Sequence, residues 1–258
     1  MADPLHQFKI EKIVDLPDIT LPGLGHVDLA ITNSHVAMTV AFAAIVLFLT
    51  AVTSKAQIVP GRLQVVGEGV FGLIDNLTDS IIGHEGRKLF PFVFTIFTLI
   101  LGMNFLGLML AFTATSQIAV TATFGVLTIG LVLIIGFAKH GLGFFKLFVP
   151  SGVPWPLLPI IIPIEFASFL LRPITLTLRL FGNMMGGHVA LKVFAGFVAA
   201  AAAGQLGLLL GAPVGVLSIS MVTALTALEF LVAFLQAFVF AVLTCIYLND
   251  VVNLGHGH

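Results

Sequence analysis

The first long apolar run covers about residues 33–53, NSHVAMTVAFAAIVLFLTAVT, and no Asp, Glu, Lys or Arg interrupts the chain between Asp28 and Lys55. About 20 mainly apolar residues suffice for a helix to cross a bilayer, so this run predicts a first transmembrane helix. A second uncharged window extends from Leu89 to Ala138. It is too long for one crossing, and TATSQ (113–117) offers a turn; two helices are expected, over about 89–112 and 118–138. Two longer segments follow at about 164–203 and 214–249, joined by GQLGLLLGAP. Each would be about 55–60 Å long at 1.5 Å per residue, against a hydrocarbon core of about 30 Å. Such helices either tilt steeply or break inside the membrane, with Pro173 and GNMMGG (182–187) as candidate break points.

The stretch 62–84 has a different pattern. Val66, Val70, Ile74, Leu77 and Ile81 recur at helical spacing, while Glu68, Asp75 and Asp79 occupy another face. This predicts an amphipathic helix lying on the membrane surface; the alternative is a loop helix packed on protein. PSGVPWPLLPIIIP (150–163) is dense in proline and should resist a regular helix until about Ile164, which makes 139–163 a connecting loop.

Composition narrows the class. Of 258 residues, 59% are hydrophobic and 9% charged, whereas a soluble domain carries roughly 25% charged residues. The expected fold is therefore an all-α integral membrane protein, with five transmembrane helices plus the surface helix. The net charge of −1 and the lack of a basic run argue against a nucleic-acid partner. Membrane lipid is the expected surrounding. The single Cys245 excludes an intrachain disulfide and a cysteine metal cluster. Residues 1–28 hold Asp3, Glu11, Asp15, Asp18 and Asp28 without an early apolar run, unlike a cleavable signal peptide.

Lysine and arginine set the orientation. Lys55, Arg62, Arg87 and Lys88 lie between the first two spans, and Lys139 and Lys146 follow the third. Both loops belong on the cytoplasmic side. The N-terminal segment 1–32 is then outside, and five crossings leave the tail 250–258 inside.

The chemistry lies in ionisable groups placed among apolar ones. Glu165, Arg172, Arg179, His188 and Lys192 fall in the fourth span, and Glu229 in the fifth. A charge at the bilayer centre costs about 2.5–3.5 kcal/mol on insertion scales, so such residues face protein or water and are functional by default. Glu165, Ser168, Arg172, Thr175, Arg179 and Asn183 form one stripe at helical spacing, which also carries Gly182 and Gly186. Glu229, Ala233 and Gln236 share a face in the fifth span. From the expected topology, Glu165 and Ser168 lie on the cytoplasmic side of Arg179, and His188 and Glu229 in the outer half. His188 and Glu229 suit proton transfer. Arg179 cannot pass a proton on. It can supply a fixed positive charge, which favours an ionised carboxylate about 4 Å away by about 4 kcal/mol at an effective dielectric near 20. Other readings stay open: Glu165 and Arg172 as a neutralising ion pair, His188 as a hydrogen-bonded core histidine, Lys192 as a snorkelling side chain.

PITLTLRLFGNMMGGH (173–188) and LEFLVAFLQAFVFAVLTCIYLND (228–250) together resemble subunit a of the F-type ATP synthase membrane sector. The resemblance covers about 30–250. It implies that the last two helices form a long tilted hairpin against a rotating ring of c subunits carrying buried carboxylates, with peripheral-stalk b subunits as further partners. It implies that Arg179 is the family's essential arginine, that Asn183 and Gln236 flank it, and that Glu165 and Ser168, with Arg172 beside them, line the cytoplasmic half-channel. The expected function is proton translocation through two offset half-channels, in a bacterial plasma membrane. The chain is not catalytic alone and needs no cofactor or metal; no Gly-rich lysine loop for nucleotide phosphates occurs. In the enteric bacterial pattern a glutamate stands at the position of His188 and a histidine at that of Glu229. This exchange is expected if the two positions face each other in one outer path. The rival readings are a secondary ion transporter with a midplane charged site and a structural anchor without transport.

Overall fold

In a computed structural model, residues 12–15, 19–21, 25–27, 30–54, 57–109, 113–149, 154–204 and 207–254 are described. Among the described residues four short strands come first: β1 (Lys12–Asp15), β2 (Ile19–Leu21), β3 (Gly25–Val27) and β4 (Ala30–Thr32). β1 pairs antiparallel with β4 through an irregularity between Lys12 and Val14, and β2 pairs antiparallel with β3 in a second two-stranded sheet. Strands of three or four residues are too short to carry a period-2 signal, and the hydropathy pattern does not announce them. The N-terminal segment expected over 1–32 is thus described only in part, and the terminal His-Gly-His (256–258) lies outside the described residues.

Among the described residues six α-helices follow: α1 (Asn33–Ser54), α2 (Arg62–Ile82), α3 (Phe90–Met109), α4 (Ile118–His140), α5 (Leu158–Ala202) and α6 (Gly207–Val252). All except α2 are long and apolar enough to cross a membrane. The all-α membrane architecture follows from these five spans. The chain clusters into two compact units. One comprises Met1–Ala44, Leu101–Gln117 and Phe181–Leu235; the other comprises Ile45–Ile100, Ile118–Leu180 and Gln236–His258.

In the second unit, α2 buries Gly67, Ile74, Thr78 and Ile82, while Leu63, Val66, Phe71 and Leu73 stay exposed. One line of the helix therefore packs on protein and another offers apolar side chains outward. The core of this unit is built from Val93, Phe97 and Ile100 of α3, Val132 of α4, Leu176 and Leu180 of α5, and Phe240, Leu248 and Val251 of α6. A 3-10 stretch, Gly141–Phe148, adds Phe144 and Phe148, whose rings meet Phe169 edge-on. Lys139 reaches Glu85 at 2.9 Å, and His140 Nε2 lies 2.9 Å from the carbonyl of Val251.

Proline does not delay α5 until about Ile164 as the sequence suggests; the helix begins at Leu158. Pro159 stands in the first turn, where backbone N–H groups have no intrahelical partner to lose. Pro163 and Pro173 are carried inside the helix. Nor does either candidate break point interrupt it: α5 is continuous over 45 residues and α6 over 46. One turn after Pro173, Thr177 Oγ1 donates to the Pro173 carbonyl at 2.8 Å. Gly125 of α4 lies against the same carbonyl, 2.9 Å from where its Cβ would stand, so the two backbones approach as only glycine allows.

Candidate functional site

The polar residues of the long helices fall into separate sets, one in each unit. In the second unit α5 carries Glu165, Ser168, Arg172 and Arg179, and α6 carries Gln236, Tyr247 and Asp250. Arg172 does not pair with Glu165, seven residues earlier. Its Nη1 donates instead to Asp250 Oδ2 at 2.9 Å, with both side chains about a quarter exposed. Its guanidinium carbon lies 4.8 Å from the centre of the Tyr247 ring and 5.6 Å from that of Phe169. A carboxylate and two aromatic faces thus hold this cation. Asp250 reaches it because α6 runs on to Val252, past the expected start of the tail. Among the described residues Glu165 has no ion-pair partner, and it is half-buried. Ser168, Arg172 and Thr175 border an open groove of about 450 Å³ along α5, completed by Ile164, Ala167 and Leu171.

Arg179 is exposed one helical turn before Asn183, which is also exposed. Gly182 and Gly186 follow on the same side, and a Cβ at either would meet nothing within 4 Å. Arg179 has no ion-pair partner among the described residues. Arg179 is thus a guanidinium turned outward on an apolar helix, where a charge is costly to leave without a partner. Gln236 is buried, at 4% exposure. Lys192 is exposed near the far end of α5, where a long side chain can snorkel.

In the first unit, His188 of α5 and Glu229 of α6 are both buried, and His188 Nδ1 lies 4.0 Å from Glu229 Oε1. The gap is slightly long for direct hydrogen bonding and suits one bridging water or a small side-chain rotation. Neither oxygen of Glu229 has a hydrogen-bond partner among the described residues. A buried polar group without a partner is costly, and two such oxygens set this carboxyl apart from the other buried polar side chains of the long helices. Gly187 makes room for it: a Cβ there would run into Glu229 Oε1 and stand 2.9 Å from Cδ. Asn104 Nδ2 of α3 donates to the Ala233 carbonyl one turn away at 3.2 Å.

Thr113 lies on the connection between α3 and α4, and the sequence pattern does not distinguish it from its neighbours. Its Oγ1 lies 2.8 Å from His188 Nε2. The signal that could have marked it is the hydroxyl cluster of TATSQ: Thr113, Thr115 and Ser116 are all buried, although the segment reads as an ordinary turn. The geometry thus gathers His188, Glu229 and Thr113 in one place and Arg172 with Asp250 in another.

The family described as ATP synthase A chain matches residues 35–249. The chain is 50% identical over 257 residues to ATP synthase subunit a of Allorhizobium ampelinum, covering 99% of each. It is 51% identical over 257 residues to that of Rhizobium etli, again covering 99% of each. With the subunit of Rhodopseudomonas palustris it shares 49% identity over 257 residues, 99% of this chain and 100% of that one. From the five spans, the charged long hairpin and these near full-length matches, the chain belongs to the ATP synthase A chain family, a multi-pass membrane subunit of the ATP synthase that is not itself catalytic.

Proposed function

We propose that this chain is the proton-conducting stator subunit of the membrane sector, working against a ring of c subunits through two half-channels that Arg179 keeps apart. Protons enter from the outer side by way of His188 and Glu229 and neutralise a carboxylate on the ring. The ring turns, and the carboxylate releases its proton inward past Ser168 and Glu165 before it meets Arg179. Asn183 and Gln236 border the arginine, and Arg172 borders the inner path. The N-terminus faces outward and the C-terminus the cytoplasm, as the distribution of Lys and Arg indicates. Peripheral-stalk b subunits hold the chain against rotation.

The observation that carries this reading is Arg179 itself, exposed on a membrane helix without a counter-ion among the described residues. At about 4 Å and an effective dielectric near 20, its charge favours an ionised carboxylate by about 4 kcal/mol, or about three pKa units. That is enough to strip an acid brought beside it and to repel a proton taking the short way. The length of α5 fits the same scheme. Its 45 residues measure about 68 Å; confined to a hydrocarbon layer of about 30 Å, such a helix tilts about 60° from the normal. A steep tilt lays a long polar face along the ring surface. The test is ATP-driven proton pumping in inverted vesicles with Arg179→Ala. Pumping is abolished in a complex that still contains every subunit; unchanged pumping defeats the assignment.

A further inference from the structure

We infer that Thr113 is a positioning residue that fixes the tautomer of His188, so that the imidazole takes up and passes on protons only through Nδ1, the edge nearer Glu229. The inference deepens the proposed proton route and rests on it for its functional part. A threonine hydroxyl has one proton to give. Thr113 Oγ1 donates it to the Gly107 carbonyl, 3.0 Å away, which can only accept. Toward His188 Nε2, at 2.8 Å, the same oxygen is therefore an acceptor, and Nε2 must carry the hydrogen. In the neutral ring that leaves Nδ1 as the bare nitrogen, 4.0 Å from Glu229 Oε1.

Burial makes the arrangement binding. Thr113 is 4% exposed, His188 9% and Glu229 3%, so bulk water does not compete freely for these atoms. The opposite tautomer would place two lone pairs, on Nε2 and on Oγ1, at 2.8 Å, or else take the hydroxyl proton from Gly107. On the other side Glu229 has two oxygens without a partner among the described residues, and they are the acceptors the ring faces.

The proton step then has one form. The imidazolium carries hydrogens on both nitrogens and Glu229 is ionised. The Nδ1–H bond breaks, the proton moves to a Glu229 oxygen directly or through one water, and an O–H bond forms. The ring is left neutral with its hydrogen on Nε2, and the carboxyl is neutral; charge is conserved. Glu229 then gives its proton onward to the carboxylate on the ring of c subunits, and the bare Nδ1 takes up the next proton from water on the outer side. The Nε2 hydrogen stays with Thr113 throughout. Every proton that His188 handles therefore passes its Nδ1 edge, and ring rotation plays no part.

The experiment is magic-angle-spinning NMR on the whole ATP synthase in liposomes with 15N-labelled histidine. Subtracting the spectrum of a His188→Gln complex isolates the His188 nitrogens. The neutral ring is expected to show a protonated Nε2 and a bare Nδ1. Thr113→Val, similar in shape but without an acceptor, is expected to populate the Nδ1–H form and to slow ATP-driven pumping about three- to tenfold, the range of one lost hydrogen bond. Thr113→Ser is expected to restore both the native tautomer and the rate. Should the valine complex assemble poorly, Thr113→Ala supplies the same readout with less bulk. A native ring protonated on Nδ1, or a tautomer unmoved in Thr113→Val and Thr113→Ala, overturns the inference. A tautomer that moves while pumping stays native upholds the Thr113 lock and overturns the proton route through His188.

Discussion

Replacing Asp250 with asparagine keeps the shape of the side chain and removes the charge that faces Arg172 at 2.9 Å. With charge centres about 4 Å apart and an effective dielectric near 20, the direct attraction is about 4 kcal/mol. Desolvation and the ordering of two side chains offset much of it. With the pair 24% and 30% exposed, a net coupling of about 1–2 kcal/mol remains. A chain of this size loses about 2–4 °C of melting midpoint per kcal/mol, so Asp250→Asn should lower the midpoint of the purified complex by about 2–8 °C. The decisive assay is a double-mutant cycle. Arg172→Gln and Asp250→Asn should cost less together than the sum of each alone, by the same 1–2 kcal/mol. Arg172→Gln and Glu165→Gln should add to within about 0.5 kcal/mol. Coupling between Arg172 and Glu165, with none to Asp250, refutes the pairing and restores the ion pair that sequence spacing suggests.

Two further outcomes follow from the geometry. Gly187→Ala pushes the Glu229 carboxyl away from His188, because the new methyl takes the space that Glu229 Oε1 fills. Overpacking of this kind costs about 1–3 kcal/mol, so ATP-driven pumping should fall by about five- to 150-fold, and Glu229→Asp in the same chain should recover part of it; native pumping in Gly187→Ala contradicts the packing. At the ends of α2 and α4, the hydrogen bond from Lys139, aided by the charges of Lys139 and Lys88, holds the Glu85 carboxyl below its usual value of 4.5. That contribution is present above about pH 4.5 and is lost as the pH falls through the lowered folded value. Lys139→Met should therefore lower the melting midpoint at pH 7 but not once Glu85 is protonated, and added salt should shrink the difference; an equal loss at both pH values shows that Lys139 acts through packing alone.

Uncharged windows announce the first three membrane helices, because a charge inside the bilayer is costly enough to be visible as an absence, and long, mainly apolar runs with a few isolated charges announce the last two. Spacing alone also marks α2, through the separation of its apolar and acidic faces. The start of α5 is obscured by Pro159 and Pro163, since sequence does not say whether a proline stands in the first turn, where it is harmless, or deeper. The chemistry is legible in the same uneven way. Arg179, His188 and Glu229 stand out as ionisable residues among apolar ones. The partner of Arg172 does not, because a periodic reading sees neighbours on the same helix, and Asp250 comes from another. Thr113 stays hidden for a related reason: a hydroxyl in a turn looks solvated until the fold buries it beside an imidazole.

The central claim is that a permanent positive charge at position 179 forces ions to travel with the ring. Its most direct test is passive proton conductance through vesicles stripped of the catalytic head, with the ring cross-linked to this chain so that it cannot turn. Vesicles with Arg179 should hold a proton gradient, and Arg179→Ala vesicles should leak it without rotation. Equal retention of the gradient by both contradicts the account.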